Sequence, residues 1–128
     1  MVRYVVNAPE DSESLNALFD KAWPNHRSTE FGPILDASLL HVVAYESDVV
    51  VGFLRVIGCG SDRGFIVGPT VHPDSQRQGV GTALLEEAAT AAQERGVTSL
   101  HVEFASELRS FYAKAGFRHT AAGVRRLP

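Results

Sequence analysis

Residues 71–85 read VHPDSQRQGVGTALL and contain the residue types of a loop that binds an anion. An apolar run ends in Val71, a proline turn and an amide-rich segment follow, and a helical pattern begins beside two closely spaced glycines, Gly79 and Gly81. The first N–H groups of a helix have no partners within it, and the helix dipole places partial positive charge beside them. Because glycine has no side chain, it allows a ligand to approach the backbone closely. The chemistry that this pattern favours is binding of a phosphate or pyrophosphate.

Two common nucleotide-binding motifs do not fit this loop. A dinucleotide fingerprint needs a third glycine where position 84 is leucine, and a P-loop needs a lysine where the residue after Gly81 is threonine. The spacing Gln76-x-x-Gly79-x-Gly81 instead resembles the Gln/Arg-x-x-Gly-x-Gly/Ala signature of the Gcn5-related N-acetyltransferase (GNAT) superfamily. A second block, FYAKAGF at residues 111–117, is similar to the F-Y-x-K-x-G-F segment of the same family.

The resemblance implies an α/β GNAT fold in a single domain over residues 1–128, with a mixed central sheet of about six to seven strands and about four helices. In that family the strand before the long helix and the strand after it splay apart, and the cofactor enters the gap. The implied activity is transfer of an acetyl group from acetyl-CoA (coenzyme A) to a primary amine of a small molecule, by direct attack in a ternary complex. The alternatives are a protein acetyltransferase and a non-catalytic acyl-CoA-binding sensor or regulatory module.

The resemblance also implies which residues bind the cofactor. The loop N–H groups would bind the pyrophosphate, with side-chain contacts from the polar residues before them. The N–H groups at the end of the preceding strand would donate to the thioester carbonyl as negative charge grows on it, while Pro69 has no N–H to donate. The predicted cofactor-binding residues are Thr70, Val71, Gln76, Arg77, Gln78, Gly79, Val80, Gly81 and Thr82.

Tyr112 occupies the position of the family's general acid, which protonates the departing thiolate. A phenol has a reference pKa of about 10 and is therefore protonated at neutral pH. The alternative interpretation is a core residue, because aromatic side chains on an amphipathic helix usually pack inward. Its neighbour Phe111 is expected to serve packing.

The group that removes the proton of the attacking amine is harder to identify. Family members often carry a glutamate or histidine on the strand before the glycine loop, but residues 65–71 contain no ionisable side chain. Glu103 and His101 share one face of the next strand by period-two alternation and are the candidates, with Glu103 predicted to act as the base or to hold a water. An ordinary polar sheet surface is the alternative. Ala105 stands where the family often has an asparagine that contacts the cofactor.

Composition excludes several other classes of protein. The 128 residues have a net charge of −3, so they lack the excess of Lys and Arg that binds nucleic acid. No apolar run approaches the roughly 20 residues that span a bilayer, and no signal peptide is evident, so we expect a cytoplasmic protein without a membrane partner. The single cysteine, Cys59, is consistent with a reducing compartment. We interpret it as a residue of a hairpin turn. The five histidines lack metal-ligand spacing, and no metal is expected.

Periodicity predicts alternating strands and helices around this site. Helices are predicted after the acidic cap at residues 9–12, over residues 79–95 with a C-cap at Gly96, and after Ser106. The strand after the long helix should run parallel to the strand before it. Strands are predicted at residues 3–7, 39–45, 49–57, 64–71 and 100–104, with a last strand or hairpin at 117–127.

Residues 25–38 show no sustained periodicity and are expected to be mostly loop, with a short helix near Ile34 and Leu35. The family usually forms its acceptor pocket in this part of the chain. Trp23 is expected to be core at the end of the first helix, and Glu30 could attract a cationic amine. A homodimer, which is common in the family, would use the edge of the last strand.

Overall fold

The β-rich runs of the sequence form one five-stranded sheet. The computed structural model describes residues 1–128. The first four strands pair antiparallel with one another, and β5 pairs parallel with β4, as the helical crossover predicts. In spatial order the strands are β1 (Val2–Val6), β2 (Leu40–Glu46), β3 (Val49–Gly58), β4 (Arg63–Val71) and β5 (Ser99–Val102).

Four helices cover the sheet. The expected caps of the first and third helices are present, but Ser106, expected to cap the last helix, lies inside a short 3₁₀ turn and accepts no capping hydrogen bond. Asp11 Oδ1 accepts the Ser14 N–H at 2.9 Å and caps the first helix. Gly96 has φ +85° after the third helix, so it takes the left-handed conformation of a C-cap. The expected short helix near Ile34 and Leu35 is present. The helices are α1 (Ser12–Ala22), α2 (Phe31–Asp36), α3 (Val80–Glu94) and α4 (Arg109–Lys114).

The sheet buries side chains on both faces, and β3 shows the division. Leu54 and Val56 lie in the core that α3 covers, together with Leu84 of that helix. Phe53 lies in the second core, under α1 and α2. Arg55 follows Phe53 by two residues, so strand alternation places it on the same face as Phe53. An arginine therefore points to the α1–α2 side of an otherwise apolar strand.

β4 and β5 separate halfway along β4. Their pairing covers only four positions and ends at Ile66 opposite Val102, whereas β4 continues to Val71. A bulge lies just after the separation, because one residue of β3 faces both Gly68 and Pro69. Gly68 has φ +68°, which glycine adopts without strain. The second half of β4 therefore has a free edge beside a gap, as the splayed fold predicts.

The predicted strand count is too high, because the chain forms five strands and not six to seven. Residues 117–127, expected to be a last strand or hairpin, form neither helix nor strand. This segment has few β-branched or large apolar residues, and it contains Gly123 and the adjacent Arg125 and Arg126. Phe117 packs against the core and contacts the Tyr112 ring, but beyond it Val124 and Leu127 are 69% and 78% exposed, so no apolar contact fixes the rest of the segment against the sheet.

Candidate active site

The glycine loop presents a row of free backbone donors. The N–H groups of residues 77–82 have no hydrogen-bond acceptor within the chain; the first N–H of this region that does is Ala83, which donates to Gly79 O at 3.0 Å. Gly79 has φ +84° and Arg77 has φ +64°, so two left-handed residues turn the chain into α3. Six adjacent donors at the positive end of a helix fit the pyrophosphate of coenzyme A.

The side chains of the loop have separate roles. Gln76 Nε2 donates to Val71 O at 3.3 Å, and Gln78 Nε2 donates to Asp74 O at 3.4 Å, so both amides stabilise the loop itself. The Arg77 side chain is exposed and forms no ion pair. It is therefore the side chain of this loop that is free to reach a phosphate.

The two glycines of the motif meet different constraints. A Cβ at Gly79 would have no atom within 4 Å, so this position needs glycine for its positive φ. A Cβ at Gly81 would lie 3.2 Å from Cζ of Phe111. Gly81 therefore allows α4 to pack against the first turn of α3, in addition to presenting its own N–H.

The free edge of β4 presents Val71 to the gap. The His72 N–H donates to Val51 O at 2.8 Å, so alternation along the strand turns the Val71 N–H away from β3 and toward the gap. The same alternation turns the Thr70 N–H toward Phe53 of β3. Of the two donors expected from the sequence, the geometry therefore favours Val71 and not Thr70.

The Thr70 side chain has a structural contact instead. Its hydroxyl donates to Gly68 O at 2.9 Å and accepts the indole N–H of Trp23 at 3.0 Å. Trp23 is 50% exposed, so the expectation that it belongs to the core is wrong: the indole lies across the end of α1 with one edge hydrogen-bonded to β4. This bond ties the α1–α2 region to the strand that borders the gap.

Tyr112 lies where α4 meets the end of β5. Its ring is buried, stacks on Phe104 with centroids 4.6 Å apart, and meets Phe111 and Phe117 edge to face. The hydroxyl has no hydrogen-bond partner in the chain, and it is not fully enclosed. Burial raises the pKa of Tyr112 above its ordinary value, so the phenol keeps its proton at neutral pH. The ring is a core residue, as the alternative interpretation expected, while its hydroxyl remains free to donate.

Glu103 and His101 do not contact each other through a hydrogen bond or an ion pair. Glu103 lies one residue beyond β5, is exposed and has no ion-pair partner. The His101 ring stacks on Phe65 at 4.9 Å, and its Nε2 lies 3.2 Å from Ser99 Oγ. The carboxylate is therefore free, and the imidazole is engaged with its own strand and β4.

A cavity of about 240 Å³ lies between α1, α2 and the sheet. The centroid of the Phe19 ring lies 5.3 Å from those of Phe31 and His26, and 5.8 Å from that of Phe53. We refer to this cavity as the aromatic cavity. Its other lining residues are Thr29, Ile34, Arg55, Val67 and Gly68. Since Val67 and Gly68 belong to β4 just past the point where β5 ends its pairing, the aromatic cavity lies beside the gap.

No sequence pattern assigns a role to Asn16, Phe53 or Arg55, although all three contribute to this region. Arg55 had one visible signal, since it is the only charged residue in the β3 run VVVGFLRVIG. A charge inside an apolar strand is uncommon and indicates a special contact. Glu30, a candidate for binding a cationic amine, lines a different, more open cavity together with Glu13 and Asp20, and this cavity shares Thr29 with the aromatic cavity.

No further constellation of catalytic type is present. Cys59 is exposed in its turn, and its Sγ lies 3.0 Å from Ser61 Oγ, a hydrogen bond that lowers the pKa of the thiol. No group of three or more His, Cys, Asp or Glu side chains is placed to hold a metal ion. None of the helices has both the length and the apolar character required to cross a bilayer.

Comparison with known families agrees with the geometry. A family model described as "Acetyltransferase (GNAT) domain" matches residues 37–119, which include the sheet from β2 onward, the glycine loop and α4. The chain therefore belongs to the GNAT acetyltransferase family, whose acetyl donor is acetyl-CoA. A comparison with curated protein sequences finds no significant match.

Solved structures show the same fold. A GNAT-family acetyltransferase from Streptococcus pneumoniae is 25% identical, with a TM-score of 0.81 over 100% of this chain and 98% of that one. An aminoglycoside N-acetyltransferase in complex with CoA is 17% identical, with a TM-score of 0.81 over 100% and 95% of the two chains. The ribosomal-protein-S18-alanine N-acetyltransferase from Escherichia coli is 20% identical, with a TM-score of 0.75 over 94% and 80%. These relatives act on both small molecules and protein.

Proposed function

We propose that the chain transfers the acetyl group of acetyl-CoA to a primary amine of a small molecule, by direct attack in a ternary complex. One observation carries this proposal: the free N–H groups of the loop and the aromatic cavity lie at two points along the same half of β4. The loop follows Val71, and Val67 and Gly68 line the cavity. Three residues of a strand span roughly 10 Å, so the two features are separate binding regions joined by one free strand edge.

The small size of the aromatic cavity supports a small-molecule acceptor over a protein. Its volume of about 240 Å³ is below the roughly 300–1,000 Å³ of typical ligand-binding pockets, so it would hold only a small ligand. Helices α1 and α2 and the sheet surround it on several sides, whereas an extended peptide would need a long open groove. We also infer that residues 1–128 act as one domain, because both helix layers pack on the same sheet.

The glycine loop and β4 would bind the acetyl donor. When bound, acetyl-CoA supplies an activated acetyl group as a thioester. The N–H groups of residues 77–82 would bind its phosphates, and Arg77 would add a charged contact. The Val71 N–H would bind the arm along the strand edge, and Gln76 and Gln78 would hold the loop in shape.

Transfer forms a bond between the amine nitrogen and the acetyl carbon, and it breaks the bond between that carbon and sulfur. The amine loses a proton, and the departing thiolate gains one. Tyr112 is proposed to donate the second proton, because its phenol is protonated, has no partner in the chain and is not fully enclosed. The first proton would pass to a base near the acceptor.

Two residues are proposed for that base. Glu103 has a free carboxylate, but it is exposed at the end of β5. His26 lines the aromatic cavity itself, and its ring is held by a hydrogen bond to Asn16. The position of His26 makes it the better placed of the two to meet an acceptor amine.

Thiol release from acetyl-CoA in the presence of a panel of amines, amino acids and polyamines tests this function. We expect amine-dependent release that falls at least tenfold in Tyr112→Phe while coenzyme A binding is retained, since acid catalysis contributes about 10² to 10⁴. The variant keeps the aromatic ring and its stacking, so the fold should be unchanged. Binding of coenzyme A without release for any amine in the panel would instead favour an acyl-CoA-binding module.

A further inference from the structure

The aromatic cavity is lined by one permanently charged side chain, that of Arg55. Arg55 and His26 are its titratable lining residues, and no carboxylate lines it. The Arg55 guanidinium donates to the hydroxyl of Ser38 at 3.2 Å and has no acidic partner. The cavity therefore contains a fixed positive charge whose counter-ion the protein does not provide.

A partly buried arginine without a carboxylate favours an anionic ligand. Removing a charge from water costs free energy unless a partner of opposite sign compensates. The planar guanidinium suits a carboxylate, because two parallel N–H groups can donate to its two oxygens. Ser38 uses one N–H of Arg55 and leaves the others free to donate.

The remaining wall of the cavity is apolar. Phe19, Phe31 and Phe53 supply three aromatic rings, and Ile34 adds an aliphatic surface. This lining favours a hydrophobic or aromatic group on the ligand. The aromatic cavity itself offers no acidic group to a second cationic centre.

We propose that the aromatic cavity is the acceptor site and that the acceptor is a small amine carrying both an apolar group and a carboxylate, as a hydrophobic amino acid does. The proposal rests on the acetyltransferase function proposed above and specifies its substrate class. Arg55 binds the carboxylate, the phenylalanine rings bind the apolar group, and the amine lies toward Gly68 and the gap. Arg55 thus determines specificity and takes no part in the bond-making step.

Calorimetric titration with L-phenylalanine and with phenethylamine, in the presence of coenzyme A, tests the role of the carboxylate. The two ligands share the aromatic ring and the amine and differ in the carboxylate alone. We expect L-phenylalanine to bind wild-type protein at least tenfold more tightly. Equal affinities, or no measurable binding of L-phenylalanine, would overturn the proposal.

Variants of Arg55 test whether this residue causes the preference for a carboxylate. Arg55→Gln should remove the preference for L-phenylalanine, and Arg55→Lys should retain part of it. Arg63→Gln is the matched control, because Arg63 is an exposed arginine at the other end of β4 and does not line the cavity. Thermal melting and coenzyme A binding would show whether the Arg55→Gln protein is folded. If the folded variant still prefers L-phenylalanine, Arg55 does not recognise the carboxylate.

Thiol-release assays with the same two amines separate the substrate class from the enzymatic function. Release with both amines at equal kcat/KM would support acetyl transfer and overturn the carboxylate preference. Release that favours L-phenylalanine at least tenfold would support both. If neither amine gives release, the acetyl-transfer function fails for this class, and the calorimetric comparison alone decides whether Arg55 recognises a carboxylate.

Discussion

The Nε2 atom of His26 lies 2.7 Å from Oδ1 of Asn16, and the surrounding bonds determine which atom donates. Asn16 Nδ2 donates to Ser12 O and to Thr29 O, both at 2.8 Å, so the amide cannot be turned around. Its Oδ1 also accepts the Thr29 N–H at 3.0 Å. His26 Nε2 must therefore carry a hydrogen, and in the neutral ring Nδ1 has the lone pair. Nδ1 has no partner within the chain, so it is available to accept a proton.

We expect His26→Gln to lower amine-dependent kcat/KM at least tenfold at neutral pH while coenzyme A binding is retained. The loss should become smaller as pH rises, because the free amine then forms without help from the protein. His119→Gln, in the exposed C-terminal segment, is the control and should behave as wild type. If His26→Gln matches wild type at every pH and Glu103→Gln does not, the base is Glu103.

Gly79 and Gly96 flank the two ends of α3 and have nearly the same backbone conformation, with φ +84° and +85°. A Cβ would meet no atom within 4 Å at either position, so alanine adds backbone strain of about 1–2 kcal/mol at each and no clash. We expect both alanine variants to lose similar stability in urea unfolding. Only Gly79→Ala should also weaken coenzyme A binding, because only Gly79 shapes the row of free N–H groups. Equal coenzyme A affinity in the two variants would show that the loop conformation is not required for binding.

The sequence was sufficient for features whose signal lies within a short stretch of chain. The anion-binding loop, the long helix and its C-cap at Gly96 depend on neighbouring residues, and each is present. The parallel placement of β5 follows from its connection through a helix. The motif predicts the position of Tyr112, whereas the burial of its ring and its free hydroxyl are visible only in the structure.

Features that depend on contacts between distant residues could not be read in the same way. The Thr70 N–H points toward β3 because Thr70 pairs with Phe53. That pairing follows a bulge, which shifts the register of the strand. The bond from Trp23 to Thr70 joins residues 47 apart. The aromatic cavity combines α1, α2, β3 and β4, and periodicity in one element does not show which neighbour it meets.

The bond between Trp23 Nε1 and Thr70 Oγ1 should affect the donor site as well as stability. Trp23→Phe removes the donor, and Thr70→Val removes the acceptor while keeping the shape of the side chain. A double-mutant cycle should give a coupling of about 0.5–1.5 kcal/mol in the free energy of unfolding. We also expect each variant to weaken coenzyme A binding, because the bond fixes the half of β4 that borders the gap. Coupling in stability with unchanged coenzyme A affinity would limit this bond to a structural role.

Tyr45 should make the fold sensitive to alkali. Its hydroxyl donates to Glu10 Oε2 at 2.7 Å, and burial, together with this carboxylate, raises the pKa of Tyr45 to about 12. In the unfolded chain the phenol has its ordinary pKa of about 10. The unfolded state therefore loses its proton first as pH rises, so the contribution to stability is complete below about pH 10 and is lost by about pH 12.

Urea unfolding of wild type and Tyr45→Phe across this range measures the effect. The variant should be less stable at neutral pH by about 1.5–3 kcal/mol, because one hydrogen bond to a carboxylate is lost. Its stability should fall less steeply than that of wild type between about pH 10 and 12, because it lacks the titrating group. The other two tyrosines, Tyr4 and Tyr112, titrate in both proteins and cancel in the comparison. Parallel curves for the two proteins would show that the hydroxyl of Tyr45 titrates alike in the folded and unfolded states.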